Sequence, residues 1–439
     1  MIIMPQKGVD RRTFLKATGG TAGLGLIAGC SSGGGSSDDG GDSGGDGDSG
    51  DGDSGDGDSG GDTTMTSGSD DGGSGAINIG SVQPLAGNFA PWGQVHSAGL
   101  AFGVQEINDN GGVLDGRELN IVEANSESDP AEAASIFERF AEQDDIVAAT
   151  GPVSSDVGIR TSRTAQELGI PMFMHMAGSN DTITPETQHT FRVGLAPATP
   201  TAQAQAGLAA DRGYENVAAI VGDYAWGRSI QSGIEENFDI DVEIQVAPVS
   251  QSDFSSYVRQ VPEDVEMVIA SGHPPGSLSI TQQLYELGRN PEVVTGPSFP
   301  PNVIRSALGE NANRGFTHVH LSDPYSDEFA AVAERFAEAN DAQFNTHTAY
   351  GYVTAQLMAQ AIENAGEADP QAITEATRAI EFDTLFANPI QYADSGELEN
   401  QIQLYSSLSL DAPSYYSDGD YSYEELYRTD PLPAIDADQ

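Results

Sequence analysis

The strongest constraint on the fold is a regular alternation of short apolar runs with amphipathic stretches between residues 77 and 295. Short apolar runs predict buried strands, whereas apolar residues spaced three and four positions apart predict helices. The predicted strands are 77–82, 118–123, 146–149, 171–175, 216–221, 242–247, 265–270 and 292–295. The predicted helices are 95–108, 130–143, 157–168, 199–212, 226–237, 253–260 and 276–288. Repeated strand–helix units indicate parallel, doubly wound sheets, and a chain of 439 residues exceeds one compact core, so we expect two such sheets side by side.

One junction in this pattern is a candidate ligand site. The segment Thr150-Gly-Pro-Val-Ser-Ser-Asp156 lies between a predicted strand and a predicted helix. It puts Ser154, Ser155 and Asp156 at the helix N-terminus, where side-chain oxygens can cap the first turn and free N–H groups can hold a carboxylate. Ligands bind at such junctions in open α/β sheets. A capped turn that binds nothing has the same pattern, and the segment alone does not decide between the two.

The charge of the chain excludes one class of partner. The formal net charge is −49, and both lysines, Lys7 and Lys16, lie among the first twenty residues. A surface this acidic repels nucleic acid. It also repels itself unless concentrated salt screens it, which indicates a salt-loving source.

The first 29 residues have the order of an export signal. Arg11 and Arg12 open the sequence Arg-Arg-Thr-Phe-Leu-Lys16, and the apolar, glycine-rich stretch 17–29 follows. That stretch is too short for a permanent transmembrane helix. The paired arginines predict a twin-arginine signal peptide over residues 1–29.

The only cysteine follows directly, in Ile27-Ala-Gly-Cys30. This sequence resembles a lipobox, so we expect cleavage before Cys30 and a lipid on its thiol, which would anchor the protein to the membrane. A lone cysteine is more often a small buried residue, but the Gly/Ser/Asp-rich stretch that continues to residue 75 offers no core. We expect residues 30–75 to form a disordered, extended tether. Discounting residues 1–75 leaves a formal charge of −40 on the remainder.

Several motifs together resemble one known family. The sequence Gly80-Ser-Val-Gln-Pro-Leu-Ala-Gly87, then Trp92-Gly93, and then 101–117 resemble the opening of the leucine/isoleucine/valine-binding proteins of ABC transporters. The later motifs 151–155, 178–180, 191–194 and 223–227 follow in the order that this family requires. The resemblance covers about residues 76–407.

The resemblance implies the type I periplasmic-binding-protein fold. Two Rossmann-like lobes would be joined by three crossings, near 193–194, 321–323 and 388–389, with the ligand trapped between the lobes. The first lobe would hold residues 76–194 and 322–388, and the second residues 195–321 and 389–439. The acidic, tyrosine-rich end at 415–439 has no assigned role.

The resemblance also implies ligand contacts. Ser154 and Ser155, with Gly178 and Ser179, would hold the head group of the ligand in the first lobe. Tryptophans are more often core residues, but Trp92 and Trp226 both fall at positions that face ligand in the family. Aromatic walls form apolar pockets at low entropic cost.

The second lobe departs from the family pattern. Ser298 occupies the position of the carboxylate that pairs with the α-ammonium group in leucine-type proteins, and a hydroxyl cannot supply that charge. His273 takes the place of a cleft tyrosine and could form a hydrogen bond there, or it could be an ordinary loop histidine. Either Asp156, Asp181 or Asp223 supplies the missing charge, or the ligand is an amide or a carboxylate without an ammonium.

The expected function is therefore that of a lipid-anchored substrate-binding protein on the extracytoplasmic face of the membrane. It would capture an amino acid of the branched-chain type, or a related small molecule, for ABC permease subunits. The folded part has no Walker loop, nucleophile elbow or clustered metal-ligand spacing, so we expect a separate ATPase, no enzymatic activity, no metal and no cofactor. We also expect a monomer. The alternative is a receptor domain that senses an amide, urea or a small carboxylate, although no transmembrane or signalling segment follows Ser407.

Overall fold

The computed structural model describes residues 75–314 and 316–435. The chain divides into two units, Met1–Ser74 and Gly75–Gln439. The predicted signal peptide, Cys30 and the predicted tether up to Ser74 lie outside the described residues. Within the described ranges, no helix combines the length and the apolar character needed to cross a membrane.

The first sheet is five-stranded and parallel, with the order β2-β1-β3-β4-β5. Its strands are β1 (Ile77–Gln83), β2 (Leu119–Asn125), β3 (Ile146–Gly151), β4 (Met172–Met174) and β5 (Thr190–Arg192). The helices that connect them are α1 (Ala90–Asp109), α2 (Pro130–Gln143) and α3 (Ser155–Leu168). A short 3₁₀ helix, Asn180–Thr182, follows β4.

The second sheet is four-stranded and parallel, with the order β7-β6-β8-β9. Its strands are β6 (Val217–Gly222), β7 (Glu243–Ala247), β8 (Met267–Ser271) and β9 (Val293–Thr295). Its helices are α4 (Ala198–Arg212), α5 (Ala225–Asn237), α6 (Ser255–Val258), α7 (Gly276–Glu286) and α8 (Pro301–Leu308). A second 3₁₀ helix, Gly309–Asn311, follows α8. Strand β6 is buried along its whole length, as expected for a parallel strand covered on both faces.

A third, antiparallel sheet contains the last two strands that the structure describes. It has the order β10-β11-β12 and consists of β10 (His318–His320), β11 (Leu404–Ser409) and β12 (Ser422–Arg428). Between β10 and β11 lie α9 (Asp327–Asn340), α10 (Thr346–Ala365) and α11 (Pro370–Arg378). The sequence did not predict this sheet, nor any element after residue 295.

Glycines bring α10 close to α1. A Cβ atom on Gly99 would lie 1.9 Å from the carbonyl oxygen of Thr348, and one on Gly351 would lie 2.0 Å from that of His96. Only glycine fits at such distances, because real Cβ contacts are never this short. The chain therefore returns to the first sheet after forming the second.

A buried ion pair holds a later segment against the first sheet. Arg192, at the end of β5, donates two hydrogen bonds of 2.6 and 2.7 Å to the carboxylate of Glu397, and both side chains are almost inaccessible to solvent. A third bond joins Arg192 Nη1 to the carbonyl of Ala177. The N–H of Arg192 also donates to the carbonyl of Gly396. Residues 396–397 therefore pack on β5.

The observed elements confirm the predicted fold class of doubly wound parallel sheets. Helix α2 has the predicted bounds because Asp129 caps its first N–H groups and Pro130 occupies the first turn. The helix predicted at 95–108 begins earlier, at Ala90, since Pro91 also lies in a first turn, where its missing N–H is not needed.

Candidate functional site

A cavity lies between the carboxyl-terminal ends of the first and second sheets. It encloses about 350 Å³ of empty space, part of which is open to solvent. Residues that follow β1, β3, β4 and β5 line one side, and residues that follow β6, β8 and β9 line the other. These wall residues are Phe89, Trp92, Val153, Ser154, Ser155, Met176, Leu195, Tyr224, Trp226, Pro274, Pro297 and Ser298. Because ligands bind at strand ends in open α/β sheets, this cavity is the candidate site.

Trp92 enters the wall from the first turn of α1. Its indole N–H donates a hydrogen bond of 2.8 Å to the carbonyl oxygen of Ser298, which belongs to the loop after β9. Its ring centroid lies 4.8 Å from that of Phe299 and 5.9 Å from that of Phe89. The side chain therefore belongs to the cavity wall and also joins the two sides.

Trp226 enters the wall from the first turn of α5. Its indole N–H donates a hydrogen bond of 2.9 Å to the hydroxyl of Ser271, at the end of β8. Its ring lies over Gly178, where a Cβ atom would be 2.4 Å from Cζ3 of the indole. Gly178 is behind the wall, and its lack of a side chain lets the ring lie there.

The two serines at the start of α3 do not cap this helix as the sequence led us to expect. Ser154 is the N-cap residue, but its side chain makes no capping hydrogen bond. Ser155 is the first helical residue, and its hydroxyl turns to the neighbouring loop and accepts a bond of 3.1 Å from the N–H of Ser179. Both serines line the cavity.

Ser179 lies behind the wall and bonds to the second-sheet side. Its hydroxyl is 3.0 Å from that of Ser229 on α5. The neighbouring Asn180 donates a side-chain bond of 2.8 Å to the hydroxyl of Thr199 on α4. The side chains of Ser179 and Asn180 therefore form hydrogen bonds within the protein, and neither residue lines the cavity.

Ser298 lines the cavity, but its hydroxyl is engaged. Ser298 Oγ lies 3.0 Å from Nε2 of His347, the second residue of α10, and both residues are buried. Its carbonyl oxygen already accepts from Trp92.

His273 is half-buried behind the aromatic wall rather than on it. Its ring meets those of Phe89 and Tyr224 edge to face, at centroid distances of 5.4 and 4.9 Å. Burial lowers the pKa of this imidazole, although a hydrogen bond from the ring to the carbonyl oxygen of Pro274 and the charge of Asp156 oppose the shift.

The three aspartates proposed from the sequence lie outside the wall. Asp223 forms an exposed ion pair of 2.9 Å with Arg228, and Asp181 is also exposed. Asp156 is exposed in the first turn of α3. Burial, and secondarily the Asp156 carboxylate, raise the pKa of Tyr224 above its ordinary value, so the phenol stays neutral. Among the described residues that line the cavity, none is charged.

Three buried histidines lie behind the first-sheet side. The rings of His96 and His175 are 3.9 Å apart, and His96 Nε2 is 3.2 Å from the hydroxyl of Thr150. Burial lowers the pKa of His96 and that of His347 to about 3. Burial also lowers the pKa of His175, and the neighbouring His96 adds to this shift. In the described part of the chain, no group of three or more His, Cys, Asp or Glu residues could hold a metal ion.

Sequence reasoning missed most of the apolar wall. The unpredicted wall residues are Phe89, Val153, Met176, Leu195, Tyr224, Pro274 and Pro297. Each lies within a few residues of the end of a predicted or observed parallel strand. The rule that parallel strands present their carboxyl ends to one site would have found them.

Comparisons with known proteins agree with this geometry. The family model described as "Periplasmic binding protein" matches residues 76–408. A Leu/Ile/Val-binding protein of Rhizobium johnstonii is 26% identical over 337 residues, covering 74% of this chain and 89% of the relative. A leucine-, isoleucine-, valine-, threonine- and alanine-binding protein of Pseudomonas aeruginosa is 24% identical, with 74% and 87% covered.

Solved structures share the fold. A branched-chain amino acid ABC transporter periplasmic ligand-binding protein from Burkholderia xenovorans superposes with a TM-score of 0.70 at 18% identity, covering 81% of this chain and 96% of the other. A solute-binding protein of an ABC transporter from R. palustris, in complex with benzoate, has a TM-score of 0.68 at 21% identity, with 82% and 98% covered. The resemblance seen in the sequence motifs is thereby confirmed.

Proposed function

Because the chain belongs to the periplasmic binding protein family, we propose that it captures a small solute in the cavity between its parallel sheets and delivers it to the permease of an ABC importer. The observation that carries the proposal is the composition of the cavity wall. Both sheets contribute residues from their strand ends, so a ligand would touch both sides at once. Such a ligand would bind more tightly when the two sides close around it than when they are apart. It would therefore shift the equilibrium toward the closed arrangement.

We propose that the two sides are lobes connected by a three-crossing hinge. The sequence predicts that the first lobe contains residues 76–194 and 322–388, and the second residues 195–321 and 389–439. Gly396 and Glu397 contact Arg192 of the first sheet, which favours a third crossing beyond residue 397 rather than at 388–389. The tyrosine-rich end would contact both lobes, because Arg212 of α4 donates to the carbonyl of Leu426 and the hydroxyl of Tyr415 donates to the carbonyl of Phe344.

Two ligand classes follow from the comparisons. An amino acid of the branched-chain type would agree with the names of the relatives in Rhizobium and Pseudomonas. A small carboxylate would agree with the R. palustris proteins solved with benzoate and with 4-hydroxybenzoate. The described wall residues carry no charge, and the N–H groups at the start of α3 can receive a carboxylate, whereas a buried ammonium would lack an ionised partner. This arrangement favours the second class.

Export and anchoring complete the proposal. The twin-arginine signal would bring the folded chain across the membrane, and a lipid on Cys30 would hold it at the extracytoplasmic face. A monomer would deliver ligand to permease subunits driven by a separate ATPase. The same lobes could instead serve as a receptor domain that senses an amide, urea or small carboxylate, and uptake measurements separate this possibility from transport.

A thermal-shift screen in molar salt tests solute capture. Amino acids, amides, urea and small carboxylates are added to the purified chain, and a solute that binds only the folded state raises its stability by RT ln(1 + [L]/Kd). We expect at least one of these solutes to raise the melting temperature in a saturable way. Deleting the gene should then abolish high-affinity uptake of that solute by the cells. Saturable binding with unchanged uptake would favour the receptor role, and absence of binding by every solute would contradict solute capture.

A further inference from the structure

A hydrogen bond between two buried side chains joins the two sides of the cavity behind its wall. Nε2 of His347 on α10 lies 3.0 Å from the hydroxyl of Ser298, in the loop after β9. We propose that His347 is a positioning residue for solute capture: its bond to Ser298 favours closure of the two sides, and protonation of its ring in acid opposes closure. This step rests on the proposed function and adds a dependence on pH to it.

His347 would act through Ser298 and not on the solute. Its side chain is fully buried, and it is not among the described residues that line the cavity, whereas Ser298 is. Helix α10 belongs to the first-sheet side, because Gly99 and Gly351 bring it against α1. If the two sides separate, Ser298 leaves with the second sheet and His347 stays with the first. The bond between them therefore exists only in the closed arrangement.

The closed arrangement favours the neutral imidazole of His347. Its other ring nitrogen, Nδ1, has no hydrogen-bond partner among the described residues, so no hydrogen bond holds a second proton in place. The added proton would also bury a charge, which is costly unless an opposite charge pairs with it. Burial lowers the pKa of His347 to about 3, and the nearby backbone of Phe299 offsets only part of this shift.

Among the described residues, the titratable groups that face His347 supply no counter-charge. The rings of His318 on β10 and of Tyr350 on α10 meet it edge to face, at centroid distances of 5.4 and 5.6 Å. The other titratable groups of this cluster are His96 on α1, His175 after β4, His320 on β10 and Tyr423 on β12. Burial lowers the pKa of each of these histidines and raises the pKa of both tyrosines, so all of them stay neutral. The charges of Asp323 and Arg428 act on His320, at the far end of the cluster.

Separation of the two sides would bring water to the ring of His347. An imidazole in water has a pKa near 6.5, so the open arrangement takes up a proton below about pH 6.5, whereas the closed arrangement does not until about pH 3. Closure is therefore most favourable above pH 6.5, and below it the equilibrium constant for closure falls by up to about tenfold per pH unit. Because a solute that touches both sides binds the closed arrangement more tightly, acid should weaken its capture.

Calorimetry at pH 7 and pH 5.5 tests the proposal on the purified full chain in molar salt. The probes are leucine and benzoate, neither of which changes its charge in this range. We expect the dissociation constant of a probe that binds to rise roughly three- to tenfold at pH 5.5. In His347→Gln, an amide that forms hydrogen bonds but does not titrate replaces the imidazole. This variant should bind like the parent at pH 7 and should lose most of the pH dependence.

A second histidine provides the matched control. His189 is half-buried outside the cluster, and its ring nitrogens meet the side chains of Gln166 and Gln371. His189→Gln removes an imidazole in the same way but does not touch the bond to Ser298. This variant should therefore keep the pH dependence of the parent.

Single-molecule energy transfer measures closure without any solute. Dyes are attached to Ala86→Cys and Asp223→Cys in a Cys30→Ser chain, which removes the only native cysteine. Both positions are exposed and follow β1 and β6, so the dyes lie on opposite sides of the cavity. We expect fewer molecules with the short dye distance at pH 5.5 than at pH 7, and we expect this difference to vanish in His347→Gln.

The possible failures are distinguishable. Equal pH dependence in the parent and in His347→Gln overturns the role of His347, and so does a parent whose dye distances do not change with pH. If a melting curve shows that His347→Gln does not fold, the protons released when a probe binds to the parent are counted at pH 6 in two buffers of different ionisation enthalpy. Absence of proton release then overturns the proposal. Absence of heat with both probes contradicts the ligand classes of the proposed function, and the dye distances of the parent then decide the role of His347.

Discussion

The indole N–H of Trp92 donates a hydrogen bond of 2.8 Å to the carbonyl oxygen of Ser298, 206 positions further along the chain. The hydroxyl of the same serine meets His347 at 3.0 Å. Two residues of the first-sheet side therefore converge on one residue of the second-sheet side, and all three are buried. This serine joins the two sides of the cavity instead of offering its hydroxyl to a ligand.

Replacing Trp226 tests whether the second-sheet side holds ligand. Trp226→Ala should weaken binding of the ligand found by screening by roughly 1–3 kcal/mol, as for a lost buried aromatic contact. Trp226→Phe keeps an aromatic ring and should therefore lose less binding free energy than Trp226→Ala. Isothermal calorimetry gives the affinity, and a melting curve monitors the fold. Unchanged affinity together with a collapsed melting temperature would make Trp226 a core residue only.

The buried histidines predict a loss of stability in acid. The pKa of His96 and that of His347 are lowered from 6.5 to about 3, so below about pH 6.5 the unfolded chain binds protons that the folded chain does not. The free energy of unfolding should be highest above pH 6.5 and should fall by about 1.4 kcal/mol per pH unit for each such histidine, until pH reaches about 3. Urea denaturation at pH 7, 6 and 5 measures the slope. His347→Gln should reduce the slope by the share of one histidine, and equal stability at pH 7 and pH 5 would contradict the prediction.

Breaking the buried ion pair should be costly. Glu397→Gln leaves the guanidinium of Arg192 buried without its counter-charge, which typically costs 3–5 kcal/mol. Arg228→Gln removes the exposed pair with Asp223 and should cost less than about 1 kcal/mol. Chemical denaturation of both variants in the same salt gives the comparison. Equal losses in the free energy of unfolding would mean that burial of the pair between Arg192 and Glu397 adds nothing to its effect on stability.

Stability should depend strongly on salt. The formal charge of −40 on residues 76–439 repels itself over a Debye length that grows from about 3 Å at 1 M salt to about 10 Å at 0.1 M. Dialysis between these concentrations should lower the melting temperature steeply. A melting temperature that does not change with salt concentration would remove the argument for a salt-loving source.

The anchor is tested in the cells that produce the protein. Cys30→Ser removes the thiol that would carry the lipid, so the mature chain should move from the membrane fraction to the soluble fraction. Cell fractionation followed by immunoblotting measures the distribution. If the variant stays with the membrane to the same extent as the parent, Cys30 is not the point of attachment.

The sequence predicted the parallel sheets well because their signals are local. Apolar runs and caps such as Asp129 before Pro130 define elements without reference to the rest of the chain. The third sheet was missed because β12 pairs only with β11, and its sequence Ser-Tyr-Glu-Glu-Leu-Tyr-Arg lacks a continuous apolar run.

The same distinction between local and long-range signals applies to the candidate site. The strand–helix junction is a local pattern, so the sequence could predict that Ser154 and Ser155 lie at the candidate site. Both residues line the cavity. The engagement of the Ser298 hydroxyl depends on His347, 49 positions away. The place of Gly178 under the ring of Trp226 depends on a contact between the two sheets. Such pairings arise from packing, and no spacing in the sequence encodes them.

Both tryptophans of the chain stand on the wall of the cavity, one from each side. Indole emission, excited selectively at wavelengths where tyrosine does not absorb, therefore comes from the candidate site alone. The wavelength and intensity of this emission depend on the polarity around the indole rings. The emission therefore reports whether a ligand occupies the cavity. A titration can be followed without attaching a dye, and the variants Trp92→Phe and Trp226→Phe would resolve the response of each side separately.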